Sequence, residues 1–454
     1  MQASAVKTQV VDAVGPFSPF WRERLKTLGT TASKVATPEA LATLAAVGER
    51  DVCADGTPSG AAALVLQAGE SGWALHADGP RLRKALASRL VRPGSYRAVI
   101  EADTRPTSFV FAGLGLRWPV ASTRSDLDIV ARAGARLWQV LGLTSSDVLV
   151  CALPLAPTAA LQALQLGATG AGSPALFPGD HADDVTASLQ LVPATVLALA
   201  SADAAHVLDD LDEAGAELGA LTTVLLVGAP SDAERADAAS ALTRAGIRPK
   251  VLAVHVPDGH RLLWGECRQG GPGLHTYPDL ELVQLVDPET GEAGSVSGGR
   301  GPNEVVITQL GLRGSALLRW RTADLAERLE TNACPACGRT VPRLVGVQRR
   351  ALVPDITLRS GRRGVDLRGI SAALVGRADV TDWRVVVGPS PRRKAWDIVV
   401  HVVPAPDEDV TDVAVAVARD VRSAAGLLPT QVVITEPGAL PEGDRVSSRV
   451  HARR

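Results

Sequence analysis

Residues 194–257 read ATVLALASADAAHVLDDLDEAGAELGALTTVLLVGAPSDAERADAASALTRAGIRPKVLAVHVP, and this stretch decides the fold. Three short apolar runs, ATVLALA (194–200), LTTVLLVGAP (221–230) and PKVLAVHVP (249–257), alternate with segments of helical periodicity at 203–218 and 232–246. A strand that is apolar on both faces must be covered on both faces, and a helix between two such strands makes them parallel neighbours. The same alternation runs upstream. A helical pattern at 125–143 precedes DVLVCALP (147–154), then helix TAALQALQLGA leads to PALF, and another helix spans 182–191. The fold class expected is α/β, a parallel sheet layered with helices.

Outward from this core the pattern changes on both sides. From 273 onward the reading is hairpins: LHTYPDLELVQLVDPETGEAG, NEVVITQLG and SALLRWRTADL, with Asp287 to Gly291 as a turn. The Gly-rich stretch GSVSGGRG (294–301) lies between two strand-like runs and reads as a hairpin loop, because a phosphate cradle needs a following helix. After about residue 346 a smaller α+β unit is expected, with strands DWRVVVG (382–388), WDIVVHVVP (396–404) and TQVVITEPG (430–438). Helix 407–426 joins them, with LRGISAALVGR as a further helix before the first strand. The first 50 or so residues read as accessory helices, with Thr37 capping a helix that opens at Pro38. Between residues 60 and 115, AAALVLQAG, YRAVIEAD and TSFVFAGL read as strands.

Composition narrows the function classes. The 454 residues carry a formal net charge of −2, with 46% hydrophobic and 3% aromatic residues. There is neither basic excess nor basic-aromatic interleaving, which argues against nucleic acid as a partner. No apolar run approaches the length that spans a bilayer, and the N-terminus lacks the pattern of a secretory signal, so a soluble cytoplasmic protein is expected. Five cysteines in so long a chain are not a disulfide framework. Of the 47 basic residues six are lysines, and none follows Lys394.

Chemistry concentrates at Cys334-Pro335-Ala336-Cys337-Gly338-Arg339. Such a turn aims two thiols at one point, and Gly338 lets backbone amides face the sulfurs, which gives half of a tetrahedral zinc site. Cys267 and His275 are the candidates for the other half, making a structural Cys3His site. Two readings stand beside it: a redox CxxC pair, and incidental buried cysteines.

Taken together, GLHTYPDLELVQLVDPETGE, VVITQLGLRGSALLRWRTADL and CPACGRTVPRLVG resemble the phenylacetate–CoA ligase branch of the adenylate-forming superfamily. The resemblance is strongest over residues 265–346. It implies a large N-terminal domain, residues 1–346, with an α/β core at about 100–260 and a β-rich, zinc-bearing part at about 261–346. It also implies a small mobile α+β domain at 347–454, turning on a hinge near 346–351. The implied reaction joins a carboxylate to the α-phosphate of ATP with magnesium, and coenzyme A then displaces AMP. Asp324, in Arg321-Thr322-Ala323-Asp324-Leu325, is the position that would bind the ribose hydroxyls, since a carboxylate accepts two hydroxyl hydrogen bonds at once. Arg321 and Thr322 belong to the same nucleotide motif. Some members of that branch carry zinc on a Cys, His, Cys, Cys set, which Cys267, His275, Cys334 and Cys337 match.

The departures fall on the groups that grip phosphate. Where the branch has a Ser/Thr/Gly-rich loop with a lysine, Phe109 to Pro119 keeps glycines and offers Arg117 as the cation. Where it has a magnesium-binding Glu, Val256 to Arg261 reads VPDGHR, leaving Asp258 or Glu266 as displaced substitutes. Its acidic hinge pair becomes Arg349-Arg350-Ala351-Leu352, and its C-terminal catalytic lysine falls in GDRVSSRV, where Arg445 or Arg449 stands instead. A guanidinium is a planar fork and no equivalent of a compact ammonium. The expected function is a ligase-like protein with weakened or lost adenylation, acting as a nucleotide- or acyl-binding protein or as a partner of another protein or of its own copy. The alternative is an active ATP-dependent acyl–CoA ligase acting on a small carboxylic acid. A Ser–His hydrolase on the α/β core is disfavoured, because no G-x-S-x-G elbow is present.

Overall fold

The apolar runs form the strands they predict. The computed structural model describes residues 2–52, 60–67, 73, 79–91, 95–112, 118–288, 291, 303–349, 352–357, 363–366, 370, 373–374, 377–389, 396–425, 428–441 and 446–448. The chain divides into two units, with the boundary between Gln348 and Arg349.

In the first unit, β1 (Pro106–Ala112) and β2 (Trp118–Thr123) form an antiparallel pair. Helix α1 (Arg124–Leu141) follows directly. It opens on a capping box, in which the Thr123 hydroxyl accepts from the Asp126 amide and the Asp126 carboxylate accepts from the Thr123 amide. It ends at Gly142, whose φ of 67° is the left-handed conformation glycine adopts at little cost. Strands β3 (Leu149–Ala152), β4 (Ala175–Leu176), β5 (Val196–Ala200), β6 (Thr223–Val227) and β7 (Lys250–His255) alternate with further helices. These are α2 (Ala159–Ala171), α3 (Ala182–Leu191), α4 (Ala204–Glu213) and α5 (Asp232–Arg244). Neighbouring strands pair in parallel, β4 with β3, β3 with β5, β5 with β6 and β6 with β7. Val150, Leu197, Leu199, Val224 and Leu226 meet Val185, Leu208, Leu211 and Leu242 from the helices in one buried cluster. Each such side chain contributes about 1.5–3 kcal/mol by leaving water. Helices α1 and α2 approach so closely that a Cβ on Gly134 would lie 2.2 Å from the Gly167 Cα.

Beyond β7 the same sheet turns antiparallel. Strands β8 (Trp264–Gly265) and β9 (Leu274–His275) extend it. A second sheet is built from β10 (Glu281–Val286), β11 (Asn303–Gln309) and β12 (Trp320–Ala326), each antiparallel to the next. Strands β13 (Arg328–Glu330) and β14 (Arg343–Val345) return to the first sheet, where β14 pairs with β9, and β15 (Gln348–Arg349) edges the second. At the expected turn, the Gly291 amide donates to the Asp287 carbonyl over 2.8 Å. The Gly-rich stretch after it lies outside the described residues.

Two of the strands expected near the N-terminus are helices. YRAVIEAD falls within a helix, Ser95–Thr104. Tyr96, Val99 and Ile100 share its inner face with Trp73 and Ala85, the Trp73 indole donates to Asp103, and Arg97 pairs with Glu101 four positions on. This spacing outweighs the strand propensity of the β-branched residues. In AAALVLQAG, Ala61–Leu64 is a short helix, favoured by its alanines, and Val65 alone bridges to Ser315. The two accessory helices read in the sequence stand at Pro19–Thr27 and Pro38–Ala42, the latter capped by the Thr37 hydroxyl.

In the second unit, β16 (Leu352–Thr357) and β17 (Arg363–Asp366) form a ribbon. Strands β18 (Val380–Pro389), β19 (Trp396–Pro404), β20 (Gln431–Ile434) and β21 (Val446–Ser448) make a sheet in the order β20-β19-β18-β21. Helix α6 (Val410–Ala425) covers it with Val413, Val417 and Val421 against Val385, Val387, Ile398 and Val400. Of LRGISAALVGR, Ile370, Ala373, Leu374 and Arg377 are described, and Ile370 and Leu374 join this core with Ala373 packed against it. Among the described residues no helix is long and apolar enough to cross a membrane.

Candidate metal centre and the Asp324 corner

Sheet order brings four distant residues to one point. Cys267 lies two residues past β8, His275 ends β9, and Gly265 of β8 stands opposite His275. Strand β14 lies on the other side of β9, and the loop that leads into it from β13 holds Cys334 and Cys337. The four ligand atoms lie within 4.8 Å of one another, a spread that one ion can span. Cys267 Sγ is 3.9 Å from Cys334 Sγ, and Cys337 Sγ is 3.6 Å from His275 Nε2. Cys267, Cys334 and His275 are buried and Cys337 is half-buried.

The surroundings suit a metal. Gly338, at φ 71°, turns the knuckle so that its amide donates to the Cys334 carbonyl. The Gly271 amide donates to Cys267 Sγ over 3.3 Å, and a Cβ on Gly271 would lie 2.5 Å from Cys334 Sγ. Glycine is therefore required where the backbone closes on the sulfurs. Burial pushes the Cys267 thiol up to about 11, reinforced by the neighbouring cysteines. At Cys334 burial also acts upward, but the amides of Cys337 and Ala336 outweigh it and leave the thiol below its ordinary value. Burial, then the charges of Arg343 and Arg339, hold His275 down at about 4, so the imidazole is neutral and its Nε2 can act as a ligand. The arrangement has no helix opening at the knuckle, which sets it apart from a redox pair.

Asp324 sits in the other sheet, on β12, within a bulge. Leu325 pairs with Glu304 and Arg321 with Val306, so Thr322 to Asp324 face Val305 alone. Ala323 takes a φ of 56° there, a conformation strained for any residue with a Cβ. Every polar side chain of the motif is engaged internally. Arg321 pairs with Glu304 and donates to the Pro288 carbonyl, and the Thr322 hydroxyl donates to the Val305 carbonyl. Asp324 is 1% exposed, and its Oδ2 lies 2.8 Å from Nε2 of His255, the last residue of β7. His255 was not singled out in the sequence; its partner is 69 positions away, and only the meeting of the two sheets joins them.

The Glu266 carboxylate has another duty, and Asp258 is held through its backbone carbonyl. Glu266 accepts from both Arg235 nitrogens, at 2.6 and 3.1 Å, and from the Ala253 amide. The Asp258 carbonyl accepts from the Trp320 indole, and Trp320 in turn stacks against Trp118. Arg117, Arg445 and Arg449, the substitutes for the phosphate-gripping lysines, lie outside the described residues, as do Arg350 and Ala351 of the hinge.

A buried polar chain that sequence reasoning missed runs from Asp126 to Glu281. Asp126 accepts from Arg261 and from the amides of Arg313 and Gly314. Arg261 also donates to Gln309, whose amide meets His260, and His260 meets Glu281 across 2.5 Å. Glu281 further accepts from the Trp264 indole and the Tyr277 amide. The only sequence signals were the capping-box Asp126 and the Glu of the GLH…D…E string.

No protein-family signature matches the chain, and no curated protein matches it in sequence. Its likeness is to solved structures. A crystal structure of 2-hydroxyisobutyryl-CoA ligase in the postadenylation state with 2-HIB-AMP superposes with a TM-score of 0.70 at 16% identity, covering 98% of this chain and 88% of that one. ATP-bound MatB from Rhodopseudomonas palustris gives 0.52 at 15% identity, covering 76% and 67%. The anthranilate CoA ligase AuaEII with anthranoyl-AMP gives 0.50 at 16%, covering 76% and 66%.

Proposed function

We propose, from the adenylate-forming fold that this chain carries, that it is a divergent relative of the phenylacetate–CoA ligase branch whose carboxylate adenylation is weakened or lost. In this reading it serves in the cytoplasm as a nucleotide- or acyl-binding protein, or as a partner of another protein or a second copy. One observation carries the reading. Asp324, the carboxylate that would take the ribose hydroxyls, is buried and already held by His255 at 2.8 Å. A buried carboxylate with a satisfied partner gains little by exchanging it for a hydroxyl. The sequence supports the same reading, since no lysine follows Lys394 and the phosphate loop lacks its hydroxyls. Loss of one preorganised charge typically costs a factor of about 10²–10³ in rate.

Within the same reading, Cys267, His275, Cys334 and Cys337 hold a structural zinc ion. Zinc bonds of about 2.3 Å to sulfur and 2.0–2.1 Å to nitrogen make tetrahedral edges of about 3.8 and 3.6 Å. The observed separations are 3.9 and 3.6 Å. Four protein ligands leave no open position, so the ion would tie β8, β9 and the 334–337 knuckle together without taking part in chemistry.

The second reading, an active acid–CoA ligase using ATP, magnesium and coenzyme A, is favoured by the near full-length match to a ligase solved with its acyl-adenylate. Calorimetry of ATP–magnesium binding separates the two. The first reading predicts the same heat, or none, for wild type and Asp324→Ala. Heat in wild type that Asp324→Ala removes would favour the active ligase.

A further inference from the structure

The buried chain from Asp126 to Glu281 carries its hydrogens in one direction. An arginine side chain has N–H donors and no acceptor. Arg261 Nη1 donates to the Ala121 carbonyl and to Asp126, and Nη2 donates to the Ser315 carbonyl and to Gln309. The Gln309 atom that Nη2 meets at 2.5 Å is therefore the amide oxygen. That choice fixes the other branch of the same side chain. The Gln309 NH2 group faces His260 Nδ1 at 3.0 Å and donates to it. A ring nitrogen that accepts holds no hydrogen, so the imidazole proton is on Nε2, and Glu281 takes it across 2.5 Å.

A carboxylate beside a histidine favours the imidazolium. Here a second proton has no acceptor to meet. On Nδ1 it would confront the Gln309 NH2 group, and turning that amide over would set the NH2 group against Arg261. Gln309, His260 and Glu281 are all buried. Glu281 is served instead by neutral donors, the Trp264 indole at 2.8 Å and the Tyr277 amide at 2.7 Å. The charged groups around the chain have partners of their own. Arg261 pairs with Asp126, Arg136 pairs with Asp279, and His255, across the Trp264 ring from His260, meets Asp324. Asp258 lies two residues before His260.

The chain also bridges layers of the fold. Asp126 opens α1, His260 and Arg261 follow β7, and Glu281 and Gln309 face each other across β10 and β11. We infer that Gln309, oriented by Arg261, is a positioning residue that holds His260 neutral with its single proton on Nε2. The chain is then a latch between the α/β layer and the second sheet, its hydrogens ordered from Arg261 toward Glu281. The competing arrangement is a buried imidazolium–carboxylate pair, which needs a proton on both ring nitrogens. A side chain that merely fills space at position 309 would not set the protonation of the ring.

The test is nitrogen NMR of the full chain labelled with 15N-histidine, the His260 signals being those lost in His260→Gln. At neutral pH, wild type should show one protonated ring nitrogen in His260, Nε2. Gln309→Glu gives Arg261 and His260 an acceptor each, so His260 should there carry two ring protons at the same pH. Two protonated nitrogens in wild type, a proton on Nδ1 alone, or a single proton retained in folded Gln309→Glu would each overturn the inference. Should Gln309→Glu not fold, the wild-type spectrum decides by itself between the neutral ring and the ion pair.

Discussion

The candidate metal centre and the Asp324 corner are built from the same stretch of chain, yet they have opposite characters. Around the knuckle, four ligand atoms from three segments converge, and backbone amides point at the sulfurs. Around Asp324, the side chains have turned inward: Arg321 to Glu304, Thr322 to Val305, Asp324 to His255. One region presents unfilled valence at a point where an ion would fit. The other has filled its own valence with protein. Motif residues can therefore persist in sequence at two places while their side chains are engaged in different ways.

The contrast can be broken at either end, and the largest effect is expected at the metal. Stripping the ion with a chelator, or replacing Cys334 by Ser, should lower stability by about 4 kcal/mol if free zinc stands 1,000-fold above its dissociation constant. Unchanged denaturant midpoints with and without chelator would remove the difference between the two regions. At the other end, Asp324→Ala deletes a buried partner of His255 and should cost about 1–3 kcal/mol in a urea titration. A neutral effect would mean that the pair is not closed in solution and that the corner is as open as the knuckle.

Smaller effects sharpen the account of how each region is held. Thr123→Ala removes the hydroxyl that caps α1 and should cost about 1 kcal/mol, read from the urea midpoint. Ala323→Gly should stabilise by about 0.5 kcal/mol, because glycine meets the 56° φ without strain but loses more chain entropy on folding. Destabilisation there would show that the Ala323 methyl packs usefully in the bulge.

The legibility of the molecule follows from how local each signal is. Strands β3, β5, β6 and β7 could be read because a strand buried on both faces leaves an unbroken apolar run, bounded by amphipathic helices. The helix Ser95–Thr104 was misread because Tyr96, Val99 and Ile100 are good strand formers, and their packing partner Trp73 lies more than 20 positions upstream. The candidate ligands Cys334 and Cys337 stood out because a cysteine pair at short spacing carries chemistry in its type alone. His255, His260 and Glu281 carry no such mark. Their meaning lies in partners 69, 49 and 21 positions away, which only the stacking of two sheets supplies.

The most direct test of the central claim is pyrophosphate release from ATP–magnesium by the zinc-loaded protein across a panel of aryl, aliphatic and hydroxy acids. The closed Asp324 corner predicts no acid-dependent release above that of the Asp324→Ala variant. Release that depends on one acid and disappears with Asp324→Ala would contradict it.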